Sequence, residues 1–596
     1  MLTSLGSSSF LRKAAKITVI VNGRALEAKK GETILQLCDR NNLKIPRLCY
    51  HPCLPPQGSC GLCAVQITDA KGERLGNACV TKCSNGMRIE THSQRAIHNV
   101  KDKLQKLLDV HDQQCTSCIA YERCEFRDLV FGNGVSNIDR AYPIPNSIDI
   151  SSNSIRIDPS KCVACGRCVR ACKNISGQKV LKVAKKNGRE YVQTTNGQLL
   201  NDTNCISCGQ CALYCPVGAI TEKSQVQEIL TRIRNRTKKL SVIHFSPAVK
   251  IGLADAFGVP ISSLPTGKII NALRLYGFQQ VYDSSFGGDI AILEEAARLA
   301  AKIQDSNDKE PLFSSSCSAW VKYVEQSRSD LIPKLSTVRS PTAIMSSLVK
   351  NVISKANKLS EDEVCCVSLT PCIGKKNEAL RSQLSTPKGF SETDFSLTIR
   401  ELVHMLQISG IHILDLPSEG KFDTLYGASS GSGKLAEISG GQLNGLLRTT
   451  YEIINGKEMP KLEIPKLTSF KDGIKVVEVD MGVKKIKVAS VQGMANIMKF
   501  LEKYKKKDKS LDGIKYVEMM SCPGGCVCGG GSIKPTSKAN LEQRYNEILK
   551  MDKSDKVKSP LKNELVSKLY SEVLGKPESE LAKQLLHTHF THRAGF

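Results

Sequence analysis

The 596-residue chain has no apolar run of about 18 residues, which argues against a membrane span. A compact basic motif is missing too. The formal charge is +26, from 84 Lys and Arg against 58 Asp and Glu, but lysine is spread along the chain. Dispersed charge argues against nucleic acid as the partner and suits a surface that steers an acidic electron carrier. Residues 1–15, MLTSLGSSSFLRKAA, contain no acid. Ser, Leu, Arg and Lys without acids is the composition of an organellar presequence. Cysteine is what the chain has in excess: 25 residues, mostly in tight clusters. A disulfide framework is a habit of short secreted domains, whereas this length implies several domains and these spacings are those of metal ligands.

Residues 16–95 open with ITVIVNGRALEAKKGETILQLC, two strand-like runs and a helix start. Cys49, Cys60, Cys63 and Cys79 follow, close to plant-type [2Fe–2S] spacing but stretched between the first two ligands. Zinc is the competing occupant, and the β-rich, ferredoxin-like pattern favours the cluster. Cys38, Cys53 and Cys83 are spare and read as small buried or incidental residues. Residues 96–140 hold an amphipathic helix over 100–110, then His111, Cys115, Cys118 and Cys124. One imidazole and three thiolates suit zinc and [4Fe–4S] equally. Residues 141–225 carry CVACGRCVRAC and CISCGQCALYCP, each the C-x2-C-x2-C-x3-C run of bacterial two-cluster ferredoxins. The fourth cysteine of each run serves the other cluster. Cys162, Cys165, Cys168 and Cys215 therefore make one cubane site, and Cys205, Cys208, Cys211 and Cys172 the second. Pro216 follows the second run; Lys173 stands where the first would have proline.

Residues 226–540 alternate strand-like runs (SVIHFSPAV, QVYDSSF, PLFSSS, EVCCVSL, IKYVEMM) with helical stretches such as 290–303. That predicts βαβ units and one mainly parallel sheet. Three cysteine motifs each follow a strand-like run: LFSSSCSAW with Cys317, VCCVSLTPCIGKKNE with Cys372, and VEMMSCPGGCVCGGG with Cys522 and Cys526. Their loops meet at the carboxyl ends of the strands, where open α/β folds bind ligands. Gly524 and Gly525 let backbone approach a bulky inorganic group. Four cysteines from three distant loops suit a further [4Fe–4S] cluster. Lys505 to Lys509 reads as a solvated helix end. Residues 541–596 are helical and charged.

These three motifs resemble the signatures of the iron-only, or [FeFe], hydrogenases, and the likeness extends over nearly the whole chain. The stretched [2Fe–2S] motif resembles the amino-terminal domain of complex I's large iron–sulfur subunit. The motif after it resembles the cluster with one histidine and three cysteine ligands found there and in large hydrogenases, which favours iron–sulfur over zinc at His111. The resemblance implies an H-cluster: a cubane on Cys317, Cys372, Cys522 and Cys526, bridged through Cys526 to a di-iron subsite with CO and CN ligands. Lys375 resembles the lysine that hydrogen-bonds one cyanide, a charge-assisted bond. Ser246, Pro247 and Ala248 match the loop facing the other cyanide, Met520 the methionine beside the subsite, and Glu378 the glutamate that fixes the second-motif loop. Residues 541–596 resemble a small-subunit-like extension, in which His587, His589 and His592 read as structural.

The pocket also departs from the family. Ser316 stands where a proton-delivering cysteine is usual. Glu295 and Ser336 match the continuing proton path, but Arg298 replaces its second glutamate. Thr370 replaces a methionine, Thr342 a glutamine and Ala436 a phenylalanine, and GGGSIKP stands for GGGQP. Cys528 falls at a non-ligand position.

The expected architecture is multidomain α+β and α/β. It comprises a presequence (1–15), a β-grasp plant-type [2Fe–2S] domain (16–95), a one-histidine/three-cysteine domain (96–140), a two-cluster ferredoxin domain (141–225), an α/β catalytic domain (226–540) and a helical extension (541–596). Expected cofactors are one [2Fe–2S] cluster, three accessory [4Fe–4S] clusters and the H-cluster. Expected chemistry is reversible reduction of protons to dihydrogen, fed by acidic ferredoxin or NADH-dehydrogenase-like subunits after loading by maturases. The alternative is a hydrogenase-like electron-transfer, sensor or assembly protein, of the prelamin-recognition-factor kind, with a degenerate di-iron pocket. The presequence resembles those of hydrogenosomal proteins, so a hydrogenosome or related mitochondrion-derived matrix is expected, with the cytoplasm as the alternative.

Overall fold

The computed structural model describes residues 17–135, 147–305, 307–308 and 310–593. The presequence-like residues 1–15 lie outside them. No helix among the described residues is long and apolar enough to cross a membrane.

The chain begins with a five-stranded sheet. Its strands are β1 (Ile17–Val21), β2 (Arg24–Ala28), β3 (Ala64–Asp69), β4 (Gly72–Asn77) and β5 (Arg88–Glu90), in the order β2-β1-β5-β3-β4. Helix Ile34–Arg40 starts at a capping box in which Thr33 and Gln36 satisfy each other's backbone amides. It buries Ile34, Leu35 and Leu37 against Val19, Val21, Val65, Ile67 and Ile89. Cys38 and Cys83 sit in this same core.

Four short strands frame the next region: β6 (Ile155–Ile157), β7 (Leu181–Lys186), β8 (Arg189–Thr194) and β9 (Ile220–Glu222). They pair antiparallel, β6 with β9 and β7 with β8. The residue before each helical cysteine run is a glycine with positive φ, Gly166 at 67° and Gly209 at 74°. A Cβ at Gly209 would lie 2.6 Å from the Ile373 side chain, so this loop is pressed against the Cys372 loop.

The sequence predicts one mainly parallel sheet after residue 226; the structure has two. The first, entirely parallel, contains β10 (Leu240–Phe245), β11 (Gln280–Asp283), β13 (Val364–Thr370) and β14 (Phe395–Thr398), in the order β11-β10-β13-β14. The second contains β12 (Leu312–Phe313), β15 (Ile474–Asp480), β16 (Lys485–Gln492) and β17 (Ile514–Met520), in the order β12-β17-β16-β15. Its β15–β16 pair is antiparallel, and the other two pairs are parallel.

Helix Ser285–Gln304 accounts for the division. At about 1.5 Å per residue its 20 residues span about 30 Å, enough to reach from one sheet to the next. Its first half packs Phe286, Ile290 and Leu293 on Val242, Tyr282 and Cys366 of the first sheet. Its second half packs Ala296, Leu299 and Ile303 on Val488 and Tyr516 of the second. Every residue of β13 is buried, as befits a parallel strand covered on both faces. The carboxyl ends of β12, β13 and β17 lead directly into the three cysteine loops.

The carboxyl-terminal segment wraps this domain. Helix Lys538–Ser554 buries Leu541, Tyr545 and Ile548 against Ala248, Ile251, Leu435 and Val527. Val566, Leu569, Ala582 and Leu586 join the core that holds Phe286 and Ile290.

Candidate functional site

The third-motif loop turns through two residues that only glycine adopts freely, Gly524 at φ 81° and Gly525 at φ 101°. A Cβ on Gly525 would come within 2.7 Å of backbone atoms of Ile438 and Ser439, so space as well as torsion demands glycine. The turn carries Cys522 and Cys526 toward the other two loops. The charges that face the deeply buried Cys522 thiol are those of Cys372, Cys317 and Cys526. Cys317 Sγ is 3.4 Å from Ser521 Oγ, tying the first motif to the third. Burial pushes the Cys372 thiol up to about 12, and Cys522 and Cys526 rise well above the usual range. Buried thiols so reluctant to ionise need cations beside them, and iron supplies these by binding them as thiolates.

The same four-thiol group touches the accessory run. Cys208 also faces Cys522, and Gln210 Nε2 lies 3.5 Å from Cys522 Sγ. A Cβ on Gly530 would meet the Cys208 carbonyl at 2.3 Å, so backbone packs on backbone where the two loops cross. Cys172, Cys205, Cys208 and Cys211 line one small cavity. Cys162, Cys165, Cys168 and Cys215 line another. Each cavity takes its fourth cysteine from the other run.

In the first domain Cys49 hydrogen-bonds Cys60 and Cys79, and Cys63 hydrogen-bonds Cys79. Yet no three cysteine or histidine ligand atoms among the described residues lie within 4.8 Å of one another. His111 offers a further donor. Its Nδ1 is buried without a partner, and burial lowers its pKa to about 4, which keeps a neutral ring nitrogen free to bind iron.

The other side chains expected at the site are a mixture of polar and apolar groups, most of them buried. Lys375 donates to Ser340 Oγ at 2.7 Å and pairs with Glu378. Glu378 accepts from Ser318 Oγ at 2.7 Å and Ser340 Oγ at 2.8 Å, joining the first and second motifs. Burial opposes its ionisation, but the Lys375 ammonium and the Ser318 and Ser340 hydrogen bonds together hold the carboxyl below its ordinary value. Ser246 occupies the N-cap of helix Pro247–Phe257, with Ala248 fully buried beside it, and Met520 ends β17 in the core. Ser316 Oγ accepts from Gln442 Nε2 at 2.9 Å. Cys528 turns aside: it is buried, and the nearest acceptor for its thiol is the Leu541 carbonyl at 3.8 Å.

Glu295 lies on helix Ser285–Gln304 with one carboxyl oxygen unpartnered. Burial pushes its pKa up to about 7, against the pull of Arg298 and of hydrogen bonds from Ser336 and Tyr516. Arg298 donates to Thr337 Oγ1 at 2.6 Å and lies 3.5 Å from Ser336 Oγ.

Sequence reasoning missed Glu437. It sits on the loop that Gly525 abuts, is half-buried, and has a buried Oε2 without a partner. Burial raises its pKa to about 7, a hydrogen bond to Ser246 opposes this, and it is the first charge that Cys526 meets. An acid within a glycine-rich stretch, SGSGKLAEISGG, was the available signal. His587, expected to be structural, is buried between two carboxylates, Glu294 and Glu578, and the Thr337 hydroxyl.

Comparison with known proteins accounts for this arrangement. Residues 239–530 match the large-subunit carboxyl-terminal domain of iron-only hydrogenases, and 538–593 match the iron hydrogenase small subunit. Residues 14–94 match a 2Fe-2S cluster binding domain and 161–219 a 4Fe-4S dicluster domain. Iron hydrogenase 1 of Clostridium pasteurianum is 31% identical over 578 residues, covering 96% of this chain and 99% of that protein. The NADP-reducing hydrogenase subunit HndD of Solidesulfovibrio fructosivorans is 30% identical over 588 residues, covering 97% and 99%. The cytosolic Fe-S cluster assembly factor narfl of Danio rerio is 27% identical over 367 residues, covering 60% of this chain and 88% of that protein. A solved [FeFe]-hydrogenase, described as a stage of stepwise H-cluster assembly, superposes with a TM-score of 0.55 at 28% identity, covering 62% of this chain and 99% of its own. With 31% identity to an iron hydrogenase over nearly the full length of both chains, and a family-model match over residues 239–530, the chain belongs to the [FeFe]-hydrogenase family.

Proposed function

We propose that this chain is a working hydrogenase that reduces protons to dihydrogen, reversibly, with electrons passed inward through iron–sulfur clusters. The observation that carries the reading is the packing of the Cys208–Gln210 loop on the third-motif loop, where Gln210 Nε2 lies 3.5 Å from Cys522 Sγ, which sets the second accessory cubane site beside the four-cysteine site of the catalytic domain. Cys49, Cys60, Cys63 and Cys79 hold the [2Fe–2S] cluster. His111, Cys115, Cys118 and Cys124 hold the first accessory cubane, and the two crossed cysteine sets hold the others. Cys317, Cys372, Cys522 and Cys526 hold the catalytic cubane. The H-cluster supplies the two-electron chemistry at iron; the protein positions it, tunes it and brings protons. Lys375 and Ser246 would hold and orient it, Glu378 locks the first and second motifs together, and Glu295 with Ser336 stores and passes protons toward Ser316. Acidic ferredoxin or NADH-dehydrogenase-like subunits deliver electrons to the basic surface, maturases load the di-iron subsite, and the protein works in a hydrogenosome-like matrix.

A second reading, a hydrogenase-like protein with little turnover, draws on two substitutions. Ser316 ionises far less readily than a thiol of pKa about 8.5, and Arg298 cannot act as acid or base. Hydrogen evolution from reduced methyl viologen, with protein matured anaerobically, separates the two. Steady evolution supports the enzyme; loaded protein that evolves none supports the second reading.

A further inference from the structure

The proton route departs from its family at Arg298, and other groups gather at that point. Glu294, beside Glu295 on the same helix, is fully buried. It accepts from Tyr570 Oη at 2.5 Å and from the Glu578 amide at 2.9 Å, and its Oε2 lies 3.1 Å from His587 Nε2. Glu578 keeps about a third of its side chain in solvent and comes within 3.5 Å of the same imidazole nitrogen. The other ring nitrogen, Nδ1, is 2.8 Å from Thr337 Oγ1. One guanidinium nitrogen of Arg298 lies 2.6 Å from Thr337 Oγ1 and 3.5 Å from Ser336 Oγ, and Ser336 hydrogen-bonds Glu295.

We propose that His587, with Glu578 above it and Thr337 below, is the proton entry to Glu295 in this chain, replacing the carboxylate that Arg298 displaces. The proposal rests on the hydrogenase reading. A proton from Glu578 binds Nε2 of His587 as the Nδ1 proton moves to Thr337 Oγ1. Thr337 releases its own hydroxyl proton to Ser336, directly or across one water, and Ser336 releases its own to the Glu295 carboxylate. Each hydroxyl gains one proton and loses one, and no electrons move. His587 is left neutral with its proton on Nε2, and exchange with water, Nδ1 taking a proton as Nε2 loses one, restores the starting tautomer. Arg298 does not titrate, but it fixes both hydroxyls, and Glu578 at 3.8 Å offsets its charge. The other charged groups about His587 are Lys583, 4.0 Å from Glu578, and Arg339, whose Nε donates to the His587 carbonyl at 2.8 Å and which is paired with Glu392.

The test uses full-length, cluster-loaded protein with methyl viologen as electron donor. His587→Ala should slow hydrogen evolution about tenfold or more, within the usual worth of a proton-transfer group. Its iron content and cluster EPR should match wild type. Added imidazole should restore much of the rate, and so should Arg298→Glu placed in the same variant. Thr337→Val should slow evolution similarly and ignore imidazole. Full rates in both single variants overturn the relay, as does a His587→Ala loss that neither imidazole nor Arg298→Glu repairs. Wild type that carries CO and CN bands yet makes no hydrogen overturns the functional reading, and the relay with it.

Discussion

Two cysteines two residues apart have opposite surroundings. Cys526 meets the Glu437 carboxylate and the Cys372 and Cys317 thiols, while Cys528 faces the Leu541 carbonyl among Leu541, Tyr545 and Val527. Of the two, Cys526 faces the other motif cysteines, and on the proposed reading it is the one that would bridge cubane and di-iron subsite. Cys526→Ala should therefore lose both from the catalytic domain while the accessory clusters remain, as read by EPR and infrared bands. Cys528→Ala should keep both, and loss of the catalytic cluster in that variant would mean the ligand set is wrong. Glu437 is the residue-scale surprise. Its place was invisible in sequence because a loop some 80 residues before the third motif brings it there, and no local spacing records that contact.

The element that holds the site together is helix Ser285–Gln304. A Cβ on its Gly287 would come within 2.2 Å of the Pro341 carbonyl, and one on Gly288 within 2.6 Å of the Gly433 carbonyl. On an open helix face Gly→Ala stabilises by about 1 kcal/mol. Here the added methyl strikes backbone that cannot step aside, so Gly287→Ala should destabilise by about 1–3 kcal/mol. Thermal unfolding checks this: a lower midpoint is expected, and a higher one would contradict the packing. The cysteine loops were legible in sequence because cluster ligands are spaced locally and follow apolar strands. The split into two sheets was not, because β14, β15 and β16 carry no cysteine motif and the dividing helix reads as an ordinary βαβ crossover. His587 was passed over for a similar reason: its partners Glu294 and Thr337 lie about 293 and 250 residues away in sequence.

At the scale of the whole molecule the proposed reading makes the sites a series: plant-type, one-histidine, two crossed cubanes, and the catalytic four. Such a series would move single electrons to a buried centre. Protein reconstituted anaerobically without maturases should bind about eighteen irons, two in the plant-type site and four in each of four cubanes. An iron content near six, with zinc in the cysteine-rich sites, would break the series. The central claim, that the series ends at a di-iron subsite on Cys526, is tested most directly by the infrared spectrum of protein matured anaerobically with its maturases. Carbonyl and cyanide stretching bands are the predicted result, absent from unmatured protein and from Cys526→Ala. A fully cubane-loaded, matured protein with neither band would contradict the account.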